Sequence, residues 1–312
     1  MIKDFAIEWL LAGDVAIRYQ TNRDLLNGER EMISTLQKRI AREGWGARFL
    51  AKQKKDGHWG ITFYQPKWTS THYTLLDLKI IGLPHDNPQA NKSAVMVLEQ
   101  PEGNNGGINL AGSLKYSDVC VNGMILNYAS YFSPKHKRLL KIVDYLLKTQ
   151  MADGGWNCQY LHAGTTHSSM HSTLSVLEGL MEFKRSHGKY RIDEILDAEK
   201  HAVEFLLLHN LYQSHRTGKT IDSRFLRLSF PGRWRYDVLR CLDYFRSSKI
   251  PFDDRMQQAL DILVSKQDKS GTWPLQEKHK GAVHFDMEKT GKPSRWNTLR
   301  ASRVLKYFNM ID

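Results

Sequence analysis

Cysteines and long apolar runs are both scarce in this 312-residue chain. Its three cysteines, Cys120, Cys158 and Cys241, are too few for a disulfide framework, which indicates a reducing compartment. No stretch reaches the roughly 18 consecutive apolar residues that a membrane span needs. The first residues, MIKDFAIEWLLAGD, place Asp4 and Glu8 inside what would be the apolar core of a signal peptide. These absences predict a cytoplasmic protein without a membrane span.

Several catalytic and binding motifs are absent as well. The chain has no glycine-rich P-loop, no dinucleotide fingerprint and no G-x-S-x-G elbow, so we expect no nucleotide cofactor. Its 45 lysines and arginines exceed its 33 aspartates and glutamates, and the net charge of +12 favours a diphosphate or an anionic lipid surface as partner. The basic residues are scattered rather than run together, so nucleic acid is not an expected partner.

A repeated turn is the strongest pattern that the sequence does contain. The heptapeptides QKKDGHW, QMADGGW and QDKSGTW end at Trp59, Trp156 and Trp273, and Gly106-Gly107-Ile108 lies midway between the first two as a degenerate copy. Apolar residues at i, i+3 and i+4 spacing precede and follow these turns, as in amphipathic helices. Trp59 and Trp156 are 97 residues apart, or two periods, so the pattern predicts about five helix pairs that stack on one another.

The Gln, Gly and Trp turns resemble the QW repeats of squalene and other triterpene cyclases and of the β subunits of protein prenyltransferases. The resemblance covers the chain from about Trp45 to Asp312 and implies an all-α fold, an α/α toroid of inner and outer helices. We expect a single toroid domain over residues 1–312, with residues 1–40 as a helical lead-in. The implied function is a central cavity for an isoprenoid or similar apolar ligand, with zinc-assisted prenyl transfer as one reaction, and with a partner subunit and peripheral membrane contact both left open.

Departures from the resembled cyclases narrow the expected function. Their acid motif, Asp-x-Asp-Asp, is absent, and Asp253-Asp254 is followed by Arg and Met rather than by a DDxxD pattern. Those cyclases have two toroid domains, whereas 312 residues suffice for one. True squalene cyclisation is therefore not expected, and a non-catalytic toroid that acts as a binding module or scaffold stays open as the alternative.

A short motif, Lys115-Tyr-Ser-Asp118-Val-Cys120, is the first candidate for chemistry. The resemblance implies a zinc ion held by Asp118, Cys120 and, one repeat later, His171, with Lys115 at a diphosphate. A carboxylate, a thiolate and an imidazole suit Zn²⁺, and three protein ligands leave one position open for catalysis. In the alternative interpretation, Asp118 caps a helix and Cys120 packs as a small apolar group.

A second set of zinc ligands is local in sequence and comprises Cys158, His162 and His167, with His171 shared between the two sets. No standard short zinc signature fits their spacing, so the alternative is an ordinary polar rim of a cavity.

Aromatic and basic residues also mark the beginnings of the inner helical segments. If these ends face a cavity, their rings could hold an isoprenoid chain or a cation, and their arginines a diphosphate. The alternative is that the rings fill the helix packing and the arginines coat a rim. The residues are Trp68, His72, Tyr73, Arg233, Trp234, Arg235, Tyr236, Arg295 and Trp296.

Overall fold

The computed structural model describes residues 4–112, 114–187 and 189–311, and helices dominate these residues, which confirms the all-α prediction. The helices are α1 (Asp4–Leu11), α2 (Val15–Asp24), α3 (Arg30–Arg39), α4 (Gly44–Leu50), α5 (Thr71–Ile81), α6 (Pro88–Leu98), α7 (Val119–Phe132), α8 (Arg138–Lys148), α9 (Gln159–Ala163), α10 (Met170–His187), α11 (Ile192–Leu208), α12 (Val238–Ser247), α13 (Gln257–Ser265) and α14 (Arg295–Tyr307). Single 3-10 turns cover Lys67–Thr69, Ser223–Leu226 and Asp254–Met256, and β1 (Trp273–Pro274) pairs antiparallel with β2 (Pro293–Ser294). None of the described helices is both long enough and apolar enough to cross a membrane.

The described residues cluster in two compact units. Segments 1–52, 80–84 and 207–312 contribute to one, which we call the terminal unit. Segments 53–79 and 85–206 contribute to the other, the middle unit. Whether the two act as one domain, as the sequence predicts, stays a prediction.

The three repeated turns make the same hydrogen bonds. In each, the backbone N–H of the Trp donates to a threonine hydroxyl of a helix further along the chain, in α5, α10 or α14, and the Gln side chain donates to the carbonyl of the turn glycine. The first bond is 3.0 Å long in all three cases, Trp59 to Thr71, Trp156 to Thr173 and Trp273 to Thr298. The second measures 3.2 Å for Gln53 to Gly57, 2.6 Å for Gln150 to Gly154 and 3.2 Å for Gln267 to Gly271. Because all three tryptophans are fully buried, each turn both fixes the chain direction and fills the core.

The degenerate copy of the turn uses different residues for the same purpose. Ile108 is buried where the other turns have Trp, and its N–H donates to Asn122 Oδ1 at 2.8 Å. The Asn122 amide returns a bond to the Ile108 carbonyl at 3.0 Å. Asn122 thus takes the place of the threonine, and the total of five repeats stays a prediction.

Helices α7 and α10 of the middle unit approach each other closely through two glycines. A Cβ added to Gly123 would collide with the backbone of Ser175 and Val176, and one added to Gly179 would collide with the carbonyl of Gly123. Only residues without a side chain let the two backbones come this near. The close packing fixes the relative position of the first turns of α7 and α10.

A largely buried ionic network holds α2, α12 and α14 of the terminal unit together. Arg303 of α14 binds Asp24 of α2 at 2.7 Å and Asp243 of α12 at 2.5 Å. Arg246 and Arg300 also contact Asp243, at 3.0 and 3.5 Å. The three arginines around Asp243 account for part of the excess of arginine in the sequence, and their role is structural.

Candidate functional site

A contact between a carboxyl group and an imidazole lies at the start of α7 in the middle unit. Asp118 occupies the residue before the first helical turn, yet its side chain makes no capping hydrogen bond among the described residues. Its Oδ1 instead meets His162 Nε2 of α9 at 3.2 Å. The capping role considered for Asp118 from the sequence is therefore wrong. Its carboxyl group contacts a side chain, that of His162, instead of the helix backbone.

The surroundings shift the pKa of Asp118 upward. Burial raises the pKa of this carboxyl, while the charge and hydrogen bond of His162 and the charge of Lys67 lower it in part. The side chains of Asp118 and His162 retain only 26% and 24% of their exposure, so water screens the pair incompletely. A carboxyl whose pKa is raised by burial and that contacts an imidazole can act as a general acid.

Next to this pair, Cys120 and Cys158 form a disulfide with a Cα–Cα distance of 6.1 Å. The sequence predicted no disulfide framework, and the third cysteine, Cys241, is buried and lies outside any disulfide of the described residues. Two donors point at the Cys158 sulfur, the Cys120 N–H and the Ser172 hydroxyl, each at 3.3 Å. In this form neither Cys120 nor Cys158 offers a thiolate.

The residues present do not fit the zinc ion that the resemblance implies. No group of three His, Cys, Asp or Glu within residues 4–112, 114–187 and 189–311 could hold a metal ion. The disulfide removes Cys120 and Cys158 from both proposed ligand sets, and the exposed His167 contributes only its carbonyl, to Asn157 at 2.8 Å. His171 is half-buried at the start of α10. Zinc binding at these residues stays a prediction from the resemblance.

Five rings of the middle unit form what we call the aromatic cluster. Its members are Tyr64, Trp68, His72, Tyr73 and Tyr128. Their ring centroids are 4.7 to 5.6 Å apart, in tilted and edge-on contacts. The Tyr64 and Tyr73 hydroxyls meet at 3.2 Å, and His72 Nδ1 meets the Tyr128 hydroxyl at 3.2 Å. Trp68, His72 and Tyr73, which the sequence analysis selected, are thus brought together.

His72 is the polar member of this cluster that lies deepest. It is fully buried, and its Nε2 has no hydrogen-bond partner among the residues that the structure describes. Burial and the charge of Lys67 lower its pKa to about 3. The ring is therefore neutral at physiological pH and presents one unused nitrogen inside an aromatic environment.

Charges link the aromatic cluster to the start of α7. Burial raises the pKa of Tyr64, and the Asp118 carboxylate adds to that rise. The Lys67 charge lowers the pKa of both Asp118 and His72, and its ammonium lies 5.0 Å from the Trp68 ring centroid. The Asp118–His162 pair, Lys67 and the aromatic cluster thus belong to one electrostatic neighbourhood.

Lys115, predicted at a diphosphate, is exposed beside this neighbourhood. Its ammonium lies 5.4 Å from the ring centroid of Tyr116, whose ring in turn contacts His162 edge-on at 6.2 Å. The structure places Lys115 near the candidate acid, and its role at a diphosphate stays a prediction.

The remaining predicted residues lie in the terminal unit, where most of them already have structural contacts. Arg235 forms an ion pair with Glu277 at 2.6 Å, and Arg295 donates to the Trp9 carbonyl at 3.0 Å while its guanidinium lies over the Trp9 ring.

The predicted aromatic residues of the terminal unit also have partners. The Tyr236 hydroxyl donates to Leu211 O, and the Trp234 ring contacts His279. Trp296 stacks on Trp45 and Phe230. Arg233 is buried and lines a narrow cleft of about 30 Å³ with His284 and Glu288. These contacts favour the packing interpretation for Arg235, Tyr236, Arg295 and Trp296.

Sequence reasoning missed three residues of the site, Tyr64, Lys67 and Tyr128. Tyr128 has helical spacing from other apolar residues of α7, which is typical of core packing. Tyr64 and Lys67 lie in the loop before α5, outside any repeated element. The only available signal was their position next to Trp68 and His72.

Comparisons with known proteins bear on the fold alone. No protein-family model and no curated protein matches the chain. Among solved structures, a polysaccharide lyase is similar with a TM-score of 0.51 and 11% identity, over 96% of this chain and 91% of that one. A family 88 glycosyl hydrolase from Bacteroides vulgatus has a TM-score of 0.52 and 11% identity, over 94% and 90%. A type II terpene cyclase from Scytonema in complex with geranylgeranyl dihydroxybenzoate has a TM-score of 0.46 and 15% identity, over 95% and 87%.

The polysaccharide lyase and the glycosyl hydrolase are α/α toroid enzymes, and the likeness to them extends over nearly the whole chain. The predicted fold class is therefore confirmed, whereas membership of the squalene cyclase family is not shown. The chain has the α/α toroid fold.

Proposed function

We propose that this protein is an acid catalyst that binds an isoprenoid-like apolar ligand against the aromatic cluster and protonates it from Asp118. The observation that carries the proposal is the unused capping position of Asp118. Its carboxyl group, with a pKa raised by burial, contacts His162 instead of the helix backbone. Asp237 and Ser294, at the beginnings of α12 and α14, do cap their helices, whereas Glu29 and Glu43, before α3 and α4, do not.

The chemistry follows from these groups. The Asp118 carboxyl transfers its proton to one carbon of a C=C bond, so that a C–H bond forms and a carbocation is left on the neighbouring carbon. Electron-rich faces of Tyr64, Trp68 and Tyr73 stabilise a cation that lies against them. Loss of a proton from an adjacent carbon re-forms a double bond and restores the carboxyl group. The net reaction is an isomerisation or cyclisation without redox change, and general acid catalysis of this kind contributes about 10²–10⁴ in rate.

The electrostatics of the neighbourhood support this direction of proton transfer. His162 and Lys67 stabilise the carboxylate that Asp118 becomes after it gives up the proton. His72 is neutral, so it adds no positive charge that would oppose a carbocation. Prenyl transfer, the reaction considered from the sequence, would need a cluster of cationic side chains to bind the diphosphate. Arg235, one of the arginines predicted for that role, already forms an ion pair with Glu277, so this reaction is less favoured.

Incubation with polyprenyl alcohols and polyprenyl diphosphates in D₂O, followed by mass spectrometry, tests the proposal. We expect a product isomeric with its substrate that carries one solvent deuterium in place of one hydrogen. Asp118→Asn should lower the rate by at least about 100-fold. The matched control is Asp253→Asn, which changes a partly exposed capping aspartate of the terminal unit and should leave the rate unchanged.

Three results would contradict the proposal. Asp118→Asn could keep the wild-type rate, which would remove Asp118 as the acid. The product could lack deuterium and appear together with free diphosphate, which would indicate prenyl transfer. Finally, the wild-type protein could bind a polyprenyl alcohol, as measured by tryptophan fluorescence, without converting any substrate, which would indicate a binding module.

A further inference from the structure

Helix α9 carries His162 but is weakly attached to the rest of the middle unit. It has five residues, and none of the described residues in it is buried. Tyr160 and Leu161 remain 49% and 40% exposed. Gly164, with φ of +63°, ends the helix in the left-handed region. A single solvated turn of this kind has almost no apolar packing to hold it in place.

Two contacts connect α9 and the residue before it to the start of α7. Cys158, the residue directly before α9, is bonded to Cys120 in the first turn of α7. His162 lies four residues after Cys158 and contacts Asp118, which lies two residues before Cys120. Residues four apart lie on the same face of a helix, so the disulfide and the His162 contact both face the start of α7.

We propose that the Cys120–Cys158 disulfide is a redox-controlled tether that positions His162 on Asp118. Breaking it leaves α9 held by the contacts of His162 with Asp118 and the Tyr116 ring and by the 3.2 Å hydrogen bond from the Cys158 N–H to Ser172 Oγ. These contacts bury little apolar surface, so the helix departs and Asp118 loses its partner. Cys120 and Cys158 are positioning residues in this proposal, because they act on Asp118 through His162. The consequence for catalysis rests on the proposed function, whereas the movement of α9 does not.

The redox step is an ordinary thiol–disulfide exchange with a dithiol as reductant. A thiolate of the dithiol attacks the Cys120 sulfur, and Cys158 leaves as a thiolate. The Cys120 N–H and the Ser172 hydroxyl, both directed at the Cys158 sulfur, stabilise that leaving group. The second thiol of the reductant then releases Cys120 and closes a cyclic disulfide. Two electrons and two protons pass to the protein, and the dithiol is oxidised by the same amount.

Limited proteolysis with chymotrypsin measures the release of α9, because this protease cuts after exposed Tyr and Leu residues such as Tyr160 and Leu161. The full-length protein is reduced with dithiothreitol, its accessible thiols are blocked with iodoacetamide, and the reagents are removed before digestion. Mass spectrometry should find two blocked cysteines, Cys120 and Cys158, with the buried Cys241 unmodified. We expect cleavage at these two sites to be at least about tenfold faster than in the oxidised protein, because the cut tracks the open population.

Variants separate the tether from side effects of the reagents. Cys120→Ser with Cys158→Ser, untreated, should be cut as fast as the reduced wild type and should not respond to dithiothreitol. Cys241→Ser is the matched control and should behave as the wild type in both redox states. In active preparations, the double variant should change the pH profile of turnover, which a purely structural disulfide would not do.

The outcomes are distinguishable from those of the proposed function. Equal cleavage rates in the oxidised and reduced proteins would overturn the tether, whatever Asp118→Asn does to activity. A general increase in cleavage over the whole chain would also overturn it, because the disulfide would then be a global staple. If α9 is released on reduction while Asp118→Asn remains fully active, the tether stands and only the proposed function fails.

Discussion

Two helices, α7 in the middle unit and α12 in the terminal unit, are preceded by an aspartate at the same helix position, and the two carboxylates serve different ends. Asp237 is almost fully buried, accepts the Arg240 N–H at 2.8 Å and accepts the Ser229 hydroxyl at 2.6 Å. Asp118 makes no such cap and contacts His162 on another element. An aspartate at a helix start therefore has no fixed role, and the side chains around it determine whether it caps the helix.

The same contrast extends to two other carboxylates of the terminal unit. Asp24 and Asp243 are surrounded by arginines that hold their pKa values below the ordinary range, although burial alone would raise them. Asp118 has the opposite shift, because burial outweighs His162 and Lys67. Asp24 and Asp243 therefore stabilise the fold as anions, whereas the carboxyl of Asp118, like those of Asp14 and Glu288 in the terminal unit, retains its proton more readily.

The largest effect on stability is expected from Asp243→Ala. The substitution leaves the guanidinium groups of Arg303, Arg300 and Arg246 close together without their shared anion, so the free energy of unfolding should fall by about 3–5 kcal/mol. Urea unfolding followed by circular dichroism measures this. Asp261→Ala, on the exposed face of α13, is the control and should stay within about 0.5 kcal/mol. A similar small loss for Asp243→Ala would mean that the network is not structural.

The next largest effect is a loss of stability in acid that comes from Asp24. The hydrogen bond from Arg23 and the charges of Arg303 and Arg23 overcome the effect of burial and hold the pKa of Asp24 at about 2, against an ordinary 3.8. A depressed pKa contributes stability that is present above the unfolded value and is lost as pH falls through the folded one. Unfolding free energy should therefore drop by about 2 kcal/mol between about pH 4 and pH 2 on account of Asp24. Urea unfolding at several pH values should show a shallower drop for Asp24→Asn, and an unchanged slope would contradict the shift.

Removing the two compared carboxylates is the direct test of the contrast between α7 and α12. Asp237→Ala removes a helix cap and leaves the Arg240 N–H without its acceptor, so we expect a loss of about 1–2 kcal/mol. Asp118→Ala removes no cap and should change the free energy of unfolding by about 0.5 kcal/mol or less. Thermal and urea unfolding of both variants give the comparison. Equal losses would mean that Asp118 stabilises α7 after all.

The fold was predictable from sequence because its signals are local. The Gln and Trp of each turn bond to groups within one turn or in the next helix, so a fixed spacing carries the geometry. The ionic network was not predictable, because Arg303 and Asp24 are 279 residues apart. Nothing in the spacing of either residue distinguishes it from a solvated surface charge.

The site was predictable only in parts. Asp118 and Cys120 were assigned to one ligand set, with His171, because the resemblance implies that set, whereas Cys158 and His162 were assigned to another because they lie close together in sequence. The structure joins them across the sets, Cys120 to Cys158 and Asp118 to His162. That pairing depends on where α9 lies relative to α7, and two cysteines with a sequence separation of 38 give no local signal for it.

The smallest effect expected is on the titration of Asp118 when its partner is removed. The charge and hydrogen bond of His162 lower the pKa of this carboxyl, so His162→Ala should raise it further while leaving the unfolding free energy within about 0.5 kcal/mol, because α9 buries none of its described residues. Carbon-13 NMR of the aspartate carboxyl groups, assigned with Asp118→Asn, follows the titration directly. His167→Ala changes an exposed neighbour of α9 and should leave the Asp118 pKa where it is. If the pKa of Asp118 does not rise in His162→Ala, the imidazole does not share its charge with the carboxyl, and the two aspartates before α7 and α12 differ only in their caps.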